Sequence, residues 1–293
     1  MTGVGDRPQA WRIGLAQIAP ALGDVDRNVA LHLRFVEQAR SAGVDLLIFP
    51  ELSLTGYNLQ DLTAEVAMPA SAPLLRKLSQ AAGPMDVVVG FVEEDRDFRF
   101  YNSAAYLSGG SVVYCHRKAY LPTYGMFDEA RYFAAGQRVA AFETRLGPMG
   151  LMICEDAWHA SVPWLLAQDG AQTLIILSSG PGRGVLGPSL GSAETWYLLN
   201  RAYAHLFGVY VAYCNRYGFE DGVNFWGGSE VVDPFAAVVA QADQFSEDLV
   251  VAEVDPQVVR RSRTITPLHR DERLEIAWNE LMRIRRRVWG EQA

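Results

Sequence analysis

The chain has 293 residues, 49% of them hydrophobic, a formal net charge of −8 and a pI near 5.2. This length and apolar content allow a large buried core, whereas the acidic balance argues against nucleic acid or an anionic membrane as a partner. The three cysteines are too few and too scattered for a disulfide framework or a zinc site. With no signal-peptide pattern and no run of membrane length, we predict a cytoplasmic protein.

The first part of the chain predicts a loose tail, a strand, a helix and a second strand, in that order. The tail covers residues 1–10, and the alternating residues 11–18 predict the first strand. Residues 27–41 have an apolar helical face, with Asp26 as the predicted N-cap. Residues 44–49 are almost entirely apolar, which is typical of a strand buried on both faces. This βαβ unit places the next polar residue at the C-terminal end of a strand, where open α/β sheets have their sites.

The remaining elements continue the mixed pattern. Further strands are predicted over residues 86–92, 100–107, 111–117, 140–143, 151–153, 173–177, 209–213, 229–232, 236–239 and 249–254, and helices over residues 74–82, 159–169 and 191–207. Residues 120–136 are aromatic, contain Pro and Gly and fit no period, so they predict a loop that forms the wall of a site. No low-complexity linker divides the chain, and we predict one layered α/β domain over residues 11–257.

The C-terminal residues 258–293 are rich in arginine and have helical spacing over residues 272–288. Trp278 and Trp289 belong to this region and suggest a docking surface. We therefore predict a tail that joins copies of the chain, which would give a homodimer or a larger homo-oligomer.

Cys154 stands at the predicted junction between the strand over residues 151–153 and the helix that follows. A thiol at such a junction is commonly reactive, because helix N-terminal amides stabilise the thiolate. The usual alternative is a buried cysteine that packs as a small hydrophobe. Glu155 and Asp156 weaken this alternative, since two acids beside a core thiol are costly to bury without a partner or a function. They also raise the pKa of the thiol, so a base or a cation must come from elsewhere in the chain.

Two other strand ends supply a carboxylate and an ammonium. Glu51 follows the strand over residues 44–49, and Lys118 follows the strand over residues 111–117. Lys118 is one of only two lysines in an arginine-rich chain, which suggests a position where a planar guanidinium cannot replace a compact ammonium. With Cys154, these residues supply the base, the cation and the nucleophile that acyl transfer through a thiol requires. An ordinary buried ion pair is the alternative for Glu51 and Lys118.

The motifs around these three residues resemble those of the nitrilase, or carbon-nitrogen hydrolase, superfamily. They are FPELSLTGY at residues 49–57, RKAYLP at residues 117–122, ICED at residues 153–156 and a closing CNRYG at residues 214–218. The resemblance runs from about residue 13 to residue 255 and implies a four-layer αββα sandwich. It also implies a catalytic triad of Glu51, Lys118 and Cys154, a second glutamate at Glu129, and neither a metal nor an organic cofactor.

The reaction implied by this resemblance is hydrolysis of a non-peptide carbon-nitrogen bond through a thioester on Cys154. Our first hypothesis is an amidase that releases ammonia or an amine from a small linear amide or an N-carbamoyl compound. Among enzymes, the alternatives are a nitrilase, or a stand-alone glutaminase that feeds ammonia to a separate synthetase. An interaction protein with the same fold but no catalysis is the alternative from another class, although it would not need all three triad residues.

Four segments are similar to the glutamine-hydrolysing domain of glutamine-dependent NAD synthetases. They are GDVDRNVA at residues 23–30, LTGYNLQDL at residues 54–62, YGMFDEARYF at residues 124–133 and CEDAW at residues 154–158. This similarity implies that Tyr124 and Glu155 contact the substrate, and we place Tyr57 with them. No SGGxDS phosphate loop is present in the sequence, so we do not expect these residues alone to make NAD.

Residues 178–184 (SSGPGRG) depart from the serine and arginine spacing with which that family holds the glutamine carboxylate. Ser179 and Arg183 are therefore predicted substrate contacts, with the identity of the substrate left open. A mobile glycine-rich loop is the alternative for this segment, and its glycine spacing matches no phosphate-binding motif.

Overall fold

The structure, a computed structural model, describes residues 9–186 and 189–290. Most of the predicted N-terminal tail, residues 1–8, lies outside the described residues, as do residues 291–293 of the predicted C-terminal tail. The strands are β1 (Trp11–Gln17), β2 (Leu46–Ile48), β3 (Asp86–Glu94), β4 (Phe100–Ser108), β5 (Ser111–Arg117), β6 (Met149–Ile153), β7 (Thr173–Ser178), β8 (Val185–Leu186), β9 (Ser189–Leu190), β10 (Tyr210–Asn215), β11 (Tyr217–Glu220), β12 (Val223–Trp226), β13 (Glu230–Val232), β14 (Val238–Gln241) and β15 (Asp248–Val254). The α-helices are α1 (Val25–Ser41), α2 (Thr63–Val66), α3 (Pro73–Ala82), α4 (Glu129–Tyr132), α5 (Ser161–Gln168), α6 (Gly191–Phe207), α7 (Pro256–Ile265), α8 (Leu268–Asp271) and α9 (Leu274–Trp289).

Two mixed sheets form the centre of the molecule. The first has the strand order β15-β1-β2-β3-β4-β5, and the second has the order β14-β13-β10-β7-β6. Strands β1, β2 and β3 pair in parallel, and so do β6, β7 and β10, whereas the other neighbours in both sheets are antiparallel. The parallel strands are joined through helices, as the predicted βαβ unit requires.

The sheets pack face to face, and each is covered by helices on its outer face. Along β1, Ile13 and Leu15 enter the core between the sheets, whereas Ala16 faces the layer formed by α1 and α3. This alternation follows from the two-residue period of a strand. On the second sheet, α5 packs on β6 and α6 on β10. The layers are therefore helix, sheet, sheet and helix, which confirms the predicted αββα sandwich.

The N-cap prediction for the first long helix was wrong by two residues. The side chain of Asp24, not that of Asp26, accepts a hydrogen bond from the amide of Arg27 at 3.0 Å. Because α1 already begins at Val25, Asp26 lies in its first turn, where a carboxylate is favourable next to the helix dipole.

The predicted strand over residues 140–143 was also wrong. This segment makes a single bridge, between Phe142 and Met149, at the edge of the second sheet. The amide of Ala141 donates instead to the side chain of Asp169 at 2.8 Å. A side-chain acceptor has therefore taken a backbone donor that a longer strand would need.

The C-terminal region has two parts that differ in burial. Helix α7 packs on the domain, since Val259 is buried in the main core and the Arg263 guanidinium donates to the carbonyl of Ala171 at 2.8 Å. In α9 no residue is buried, and Trp278 and Trp289 are 65% and 68% exposed. The docking role of α9 stays a prediction. None of the helices formed by the described residues has the length and apolar character that crossing a membrane requires.

Candidate active site

Three strand ends deliver Glu51, Lys118 and Cys154 to one buried place. Lys118 Nζ donates to Glu51 Oε1 at 2.7 Å. Cys154 is linked to Glu51 through two adjacent serines, because Ser178 Oγ lies 3.6 Å from Cys154 Sγ and the amide of Ser179 donates to Glu51 Oε2 at 2.8 Å. Only 1% of Glu51, 1% of Lys118 and 8% of Cys154 is exposed. The structure thus brings together the carboxylate, the ammonium and the thiol that the sequence singled out.

The Glu51 carboxylate is held by hydrogen bonds on both oxygens. Oε1 accepts from Lys118 Nζ and from Asn102 Nδ2, the latter at 2.8 Å, and Oε2 accepts from the amide of Ser179. The hydroxyl of Ser179 also donates to the backbone carbonyl of Glu51 at 3.1 Å. A buried carboxylate with this many donors stays in one orientation, which a general base requires.

A second glutamate, Glu129, contacts the same ammonium. Lys118 Nζ donates to Glu129 Oε1 at 2.7 Å, and the hydroxyl of Tyr57 donates to the same oxygen at 2.6 Å. Burial raises the pKa of Glu129 to about 7, Lys118 opposes this shift, and the charge of Glu51 adds to it. Lys118 therefore contacts Glu51 and a second carboxyl group, Glu129, that titrates near neutral pH.

The electrostatics of the site favour a neutral thiol beside a charged lysine. Burial alone favours the neutral amine of Lys118, but the carboxylates of Glu129 and Glu51 hold its pKa well above the ordinary value. Burial raises the pKa of Cys154, and Glu51 raises it further, whereas Lys118 and the hydrogen bond from Ser178 lower it. The thiol therefore needs a base when it reacts, and the Glu51 carboxylate is close enough for its charge to raise the pKa of the thiol.

The backbone at Cys154 has an unusual conformation, with φ of +45°. Residues other than glycine rarely adopt this left-handed region, and such strain is concentrated at functional sites. A short 3-10 turn, Cys154–Trp158, follows β6, so the helix predicted over residues 159–169 begins at Ser161. The first amides of a helical turn have no partner within the turn. The amide that follows Cys154 is one of these first amides.

A cavity of about 180 Å³ has Cys154 in its wall. Its lining includes the predicted substrate contacts Tyr124, Glu155 and Arg183. The hydroxyl of Tyr124 donates to Glu155 Oε2 at 2.9 Å, and burial together with this hydrogen bond raises the pKa of Tyr124 to about 12. The rest of the wall is mostly aromatic and apolar and includes Phe127, Trp158, Pro181 and Trp196.

Arg183 is held at the rim of this cavity by the loop over residues 120–136. Its guanidinium carbon lies 4.7 Å from the centroid of the Phe127 ring, in a cation-π contact. A Cβ atom on Gly125, which has φ of +64°, would lie 2.9 Å from Arg183 Nη1. The positive φ favours glycine at position 125, and the missing side chain leaves room for the guanidinium in its present position.

Two of the predicted substrate contacts have other positions in the structure. Of the residues that the structure describes along this cavity, neither Tyr57 nor Ser179 forms part of the wall. Tyr57 holds Glu129, and Ser179 is fully buried behind Glu51. Ser178, at the end of β7, is the serine that contacts the sulfur. The spacing of residues within this segment could not show that Ser178, and not Ser179, contacts Cys154, because Cys154 follows a different strand.

Several residues of the site were not predicted from the sequence. Asn102, inside strand β4, carried a usable signal, since a polar side chain among buried strand residues needs a partner. The hydroxyl of Tyr213, 3.3 Å from Ser178 Oγ, and the ring of Trp196 carried none, because their segments fit ordinary core patterns. Within residues 9–186 and 189–290, no three His, Cys, Asp or Glu side chains are grouped so that they could hold a metal ion.

The fold and this site define a hydrolase of carbon-nitrogen bonds. Residues 12–264 match the carbon-nitrogen hydrolase family, and the chain belongs to this family. It is 34% identical over 267 residues to a glutamine-dependent NAD(+) synthetase from Thermotoga maritima, an alignment that covers 88% of this chain and 44% of that protein. The chain thus spans less than half the length of this relative.

Two solved structures extend the comparison. A glutamine-dependent NAD+ synthetase from Acinetobacter baumannii matches with a TM-score of 0.76 and 32% identity, covering 86% of this chain and 47% of that one. A double mutant of an amidase from Nesterenkonia sp. AN1 in complex with acrylamide matches with a TM-score of 0.79 and 23% identity, covering 94% and 99% of the two chains. The likeness to the amidase shows the shared fold, over almost the whole of both chains.

Proposed function

We propose that the protein hydrolyses a small linear primary amide whose far end carries both an ammonium and a carboxylate group, as glutamine does. The observation that carries this proposal is the cavity beside Cys154, because one carboxylate and one guanidinium, those of Glu155 and Arg183, line the same small space. Two opposite charges in a largely aromatic cavity favour a zwitterionic ligand. The relatives that are glutamine-dependent NAD synthetases support the same substrate class.

The first step is attack on the amide carbonyl. Glu51 accepts the proton of the Cys154 thiol, and the sulfur forms a bond to the carbonyl carbon. The negative charge that develops on the carbonyl oxygen is stabilised by Lys118 and by the backbone amide that follows Cys154. The ammonium of Lys118 already lies 2.7 Å from Glu51 Oε1, so the base and the cation are held together before the substrate binds.

The next steps release both products. The tetrahedral intermediate collapses, the carbon-nitrogen bond breaks, and Glu51 returns its proton to the leaving nitrogen, which departs as ammonia. Water then attacks the thioester while Glu51 accepts one of its protons. The carbon-sulfur bond breaks, the thiol forms again and the acyl group leaves as a carboxylic acid. Glu129 and Tyr57 hold Lys118 during the cycle, through the shared Oε1 atom of Glu129.

Ammonia release from a panel of compounds tests this function. The panel consists of glutamine, a neutral amide of the same chain length, an N-carbamoyl amino acid and a nitrile, with Cys154→Ala as the control protein. We expect kcat/KM for glutamine to exceed that for the neutral amide by about 10²-fold, since two charged contacts are lost with the latter. Preferred turnover of the nitrile would favour a nitrilase.

Variants of the cavity wall sharpen this test. Arg183→Met and Glu155→Gln should each raise KM for glutamine by about tenfold and leave turnover of the neutral amide unchanged. Equal effects on both amides would contradict a role in binding the far end of the substrate. If no compound is turned over and a mild thiol reagent spares Cys154, the chain is an interaction protein with the fold of an enzyme.

A further inference from the structure

We propose that Asp156 is a positioning residue that holds the Lys118 ammonium and the Cys154 thiol at their working separation. Its side chain is fully buried and accepts hydrogen bonds on both oxygens. The activity affected is the amide hydrolysis proposed above, on which this role rests in part. Among the described residues, the hydrogen-bond partners of Asp156 all belong to the two chain segments that carry the reacting groups, and not to the reacting groups themselves.

The first oxygen of Asp156 binds the segment that carries the ammonium. Asp156 Oδ1 accepts from the amides of Ala119 at 2.9 Å and Tyr120 at 3.0 Å. These are the two residues directly after Lys118. The carboxylate therefore fixes the direction in which the chain leaves β5, and with it the direction in which the lysine side chain departs.

The second oxygen of Asp156 binds the segment that carries the thiol, and it also binds a residue of the segment that carries the ammonium. Asp156 Oδ2 accepts from the amide of Ile153 at 3.0 Å, directly before Cys154, and from His116 Nε2 at 2.8 Å. His116 belongs to β5, two residues before Lys118. One carboxylate thus contacts residues on both sides of the lysine and the residue before the cysteine.

The position of the two strands explains why such a connection is needed. Strand β5 is the last strand of the first sheet, and β6 is the last strand of the second sheet. Apart from the bridge between Phe142 and Met149 of β6, each of these edge strands is held by ladder hydrogen bonds on one side only, and among the described residues no strand of one sheet pairs with a strand of the other. Without Asp156, the relative position of the ammonium and the sulfur would depend on side-chain packing between the sheets and on the longer connection through Glu51 and the two serines at the end of β7.

The charge state of Asp156 is consistent with this role. Burial by itself favours the protonated acid, but the hydrogen bond and charge of His116, together with the amide of Ile153, keep the pKa of Asp156 below its ordinary value. An ionised carboxylate accepts hydrogen bonds more strongly than a neutral one. Because four donors point at this buried carboxylate, replacing one of its oxygens would leave a buried N–H group without an acceptor.

Asp156→Asn tests the proposal, because it keeps the shape but places an NH2 group where one oxygen faces donors. Alkylation of Cys154 by iodoacetamide, followed by mass spectrometry of the cysteine-containing peptide, reports the position of the thiol without any substrate. We expect alkylation at least about tenfold slower than in the wild type, because a buried thiol moved away from the ammonium and the base ionises less readily. For any amide that is turned over, kcat should fall by at least about tenfold and KM by less than about threefold.

Asp169→Asn is the matched control. Asp169 is also an aspartate that joins two segments, through a hydrogen bond from the amide of Ala141, but it is exposed and belongs to no part of the site. We expect alkylation within about twofold of the wild type in this variant. A folded Asp156→Asn protein with wild-type alkylation would overturn the proposal, whatever its thermal stability.

A pair of variants at His116 keeps the test valid if Asp156→Asn does not fold. Glutamine at position 116 still has an N–H that can donate to Asp156, whereas phenylalanine has none. We expect His116→Gln to alkylate within about threefold of the wild type and His116→Phe to be at least about tenfold slower. Equal rates in the two variants would overturn the proposal. Absence of ammonia release from wild-type protein would refute the proposed function alone, since alkylation still decides the role of Asp156.

Discussion

Cys154 and Cys214 are two thiols of the same sheet, both at or near the C-terminal end of a parallel strand and both buried. Cys214 lies in β10, a central strand, and its sulfur contacts the backbone carbonyls of Ile48 at 3.3 Å and Ala16 at 3.6 Å. Cys154 follows β6, an edge strand. Its backbone is in the left-handed region, and its sulfur is close enough to Lys118 for the charge of the lysine to lower the pKa of the thiol. Burial raises the pKa of both thiols. The difference in their neighbours, not in burial, makes one a candidate nucleophile and the other a packing residue.

The reason lies in what the opposite sheet presents to each sulfur. Cys214 faces carbonyl oxygens, which accept a hydrogen bond from a thiol and repel a thiolate. Cys154 faces an ammonium that favours the thiolate and a carboxylate that can accept its proton. Two buried cysteines of one sheet are therefore chemically different because of residues distant in sequence.

Replacing the two cysteines should give the largest contrast. Cys154→Ala removes the proposed nucleophile, and we expect amide turnover to fall by about 10⁴-fold or more. Cys214→Ala should leave turnover within about threefold of the wild type and lower the free energy of unfolding by about 1 kcal/mol, as expected for a small cavity. Ammonia release and chemical denaturation measure the two effects. A similar loss of turnover in both variants would contradict the assignment of Cys154 as the nucleophile and Cys214 as a packing residue.

Lys118→Arg should have the next largest effect. A guanidinium keeps the charge but is planar and larger, and it cannot donate from one compact atom to both Glu51 and Glu129. We expect kcat to fall by about 10³-fold, as for the loss of an oxyanion donor. The matched control is Lys77→Arg, since Lys77 is the other lysine of the chain and lies exposed on α3. Wild-type kcat in Lys118→Arg would count against its role at the oxyanion.

Glu129→Gln should have a smaller effect on rate. The amide oxygen can still accept from Lys118 and Tyr57, but the charge that helps to keep the lysine protonated is lost. We expect kcat to fall by about 10- to 100-fold, less than for the lysine itself, because Glu129 acts through Lys118. Glu93→Gln is the control, since Glu93 is also buried and bonded to a cation, Arg117, but outside the site. Equal losses in the two variants would contradict a specific role for Glu129.

Glu129 and Glu93 are each bonded to a cation, whereas Glu230 is a buried carboxylate with no cation among its hydrogen-bond partners in the described part of the chain. Its oxygens accept from Asn200 Nδ2 at 2.9 Å and Gln241 Nε2 at 3.5 Å, and burial raises its pKa to about 7. Between the ordinary pKa and about 7, the folded state keeps a proton that the unfolded state has lost. The stability from this group is therefore full at low pH and is lost as the pH rises through this window.

Glu230→Gln removes that pH dependence. The free energy of unfolding of the variant minus that of the wild type should be about 2 to 3 kcal/mol larger at about pH 8 than at about pH 5, which means that the variant is relatively more stable at the higher pH. One pKa unit corresponds to about 1.4 kcal/mol. Urea denaturation of both proteins at the two pH values measures this difference. The same difference between variant and wild type at both pH values would mean that Glu230 does not titrate in this window.

Local sequence was sufficient for most elements of the fold, although not for residues 140–143, and for the three residues at the strand ends. The alternation along residues 11–18 and the apolar run over residues 44–49 predicted β1 and β2, because a strand's faces follow from its two-residue period. The motifs that contain Glu51, Lys118 and Cys154 predicted a site at strand ends, since parallel strands end at a common edge.

Only the tertiary structure decided which side chains meet at that edge. The choice between Ser178 and Ser179 beside the sulfur, the hydrogen bond from Asn102 to Glu51 and the four donors around Asp156 all join separate segments, several of them from opposite sheets. Periodicity and capping act over a few residues and determine faces and ends of elements. The distances between atoms of different sheets depend on packing of the whole core, which no local pattern contains.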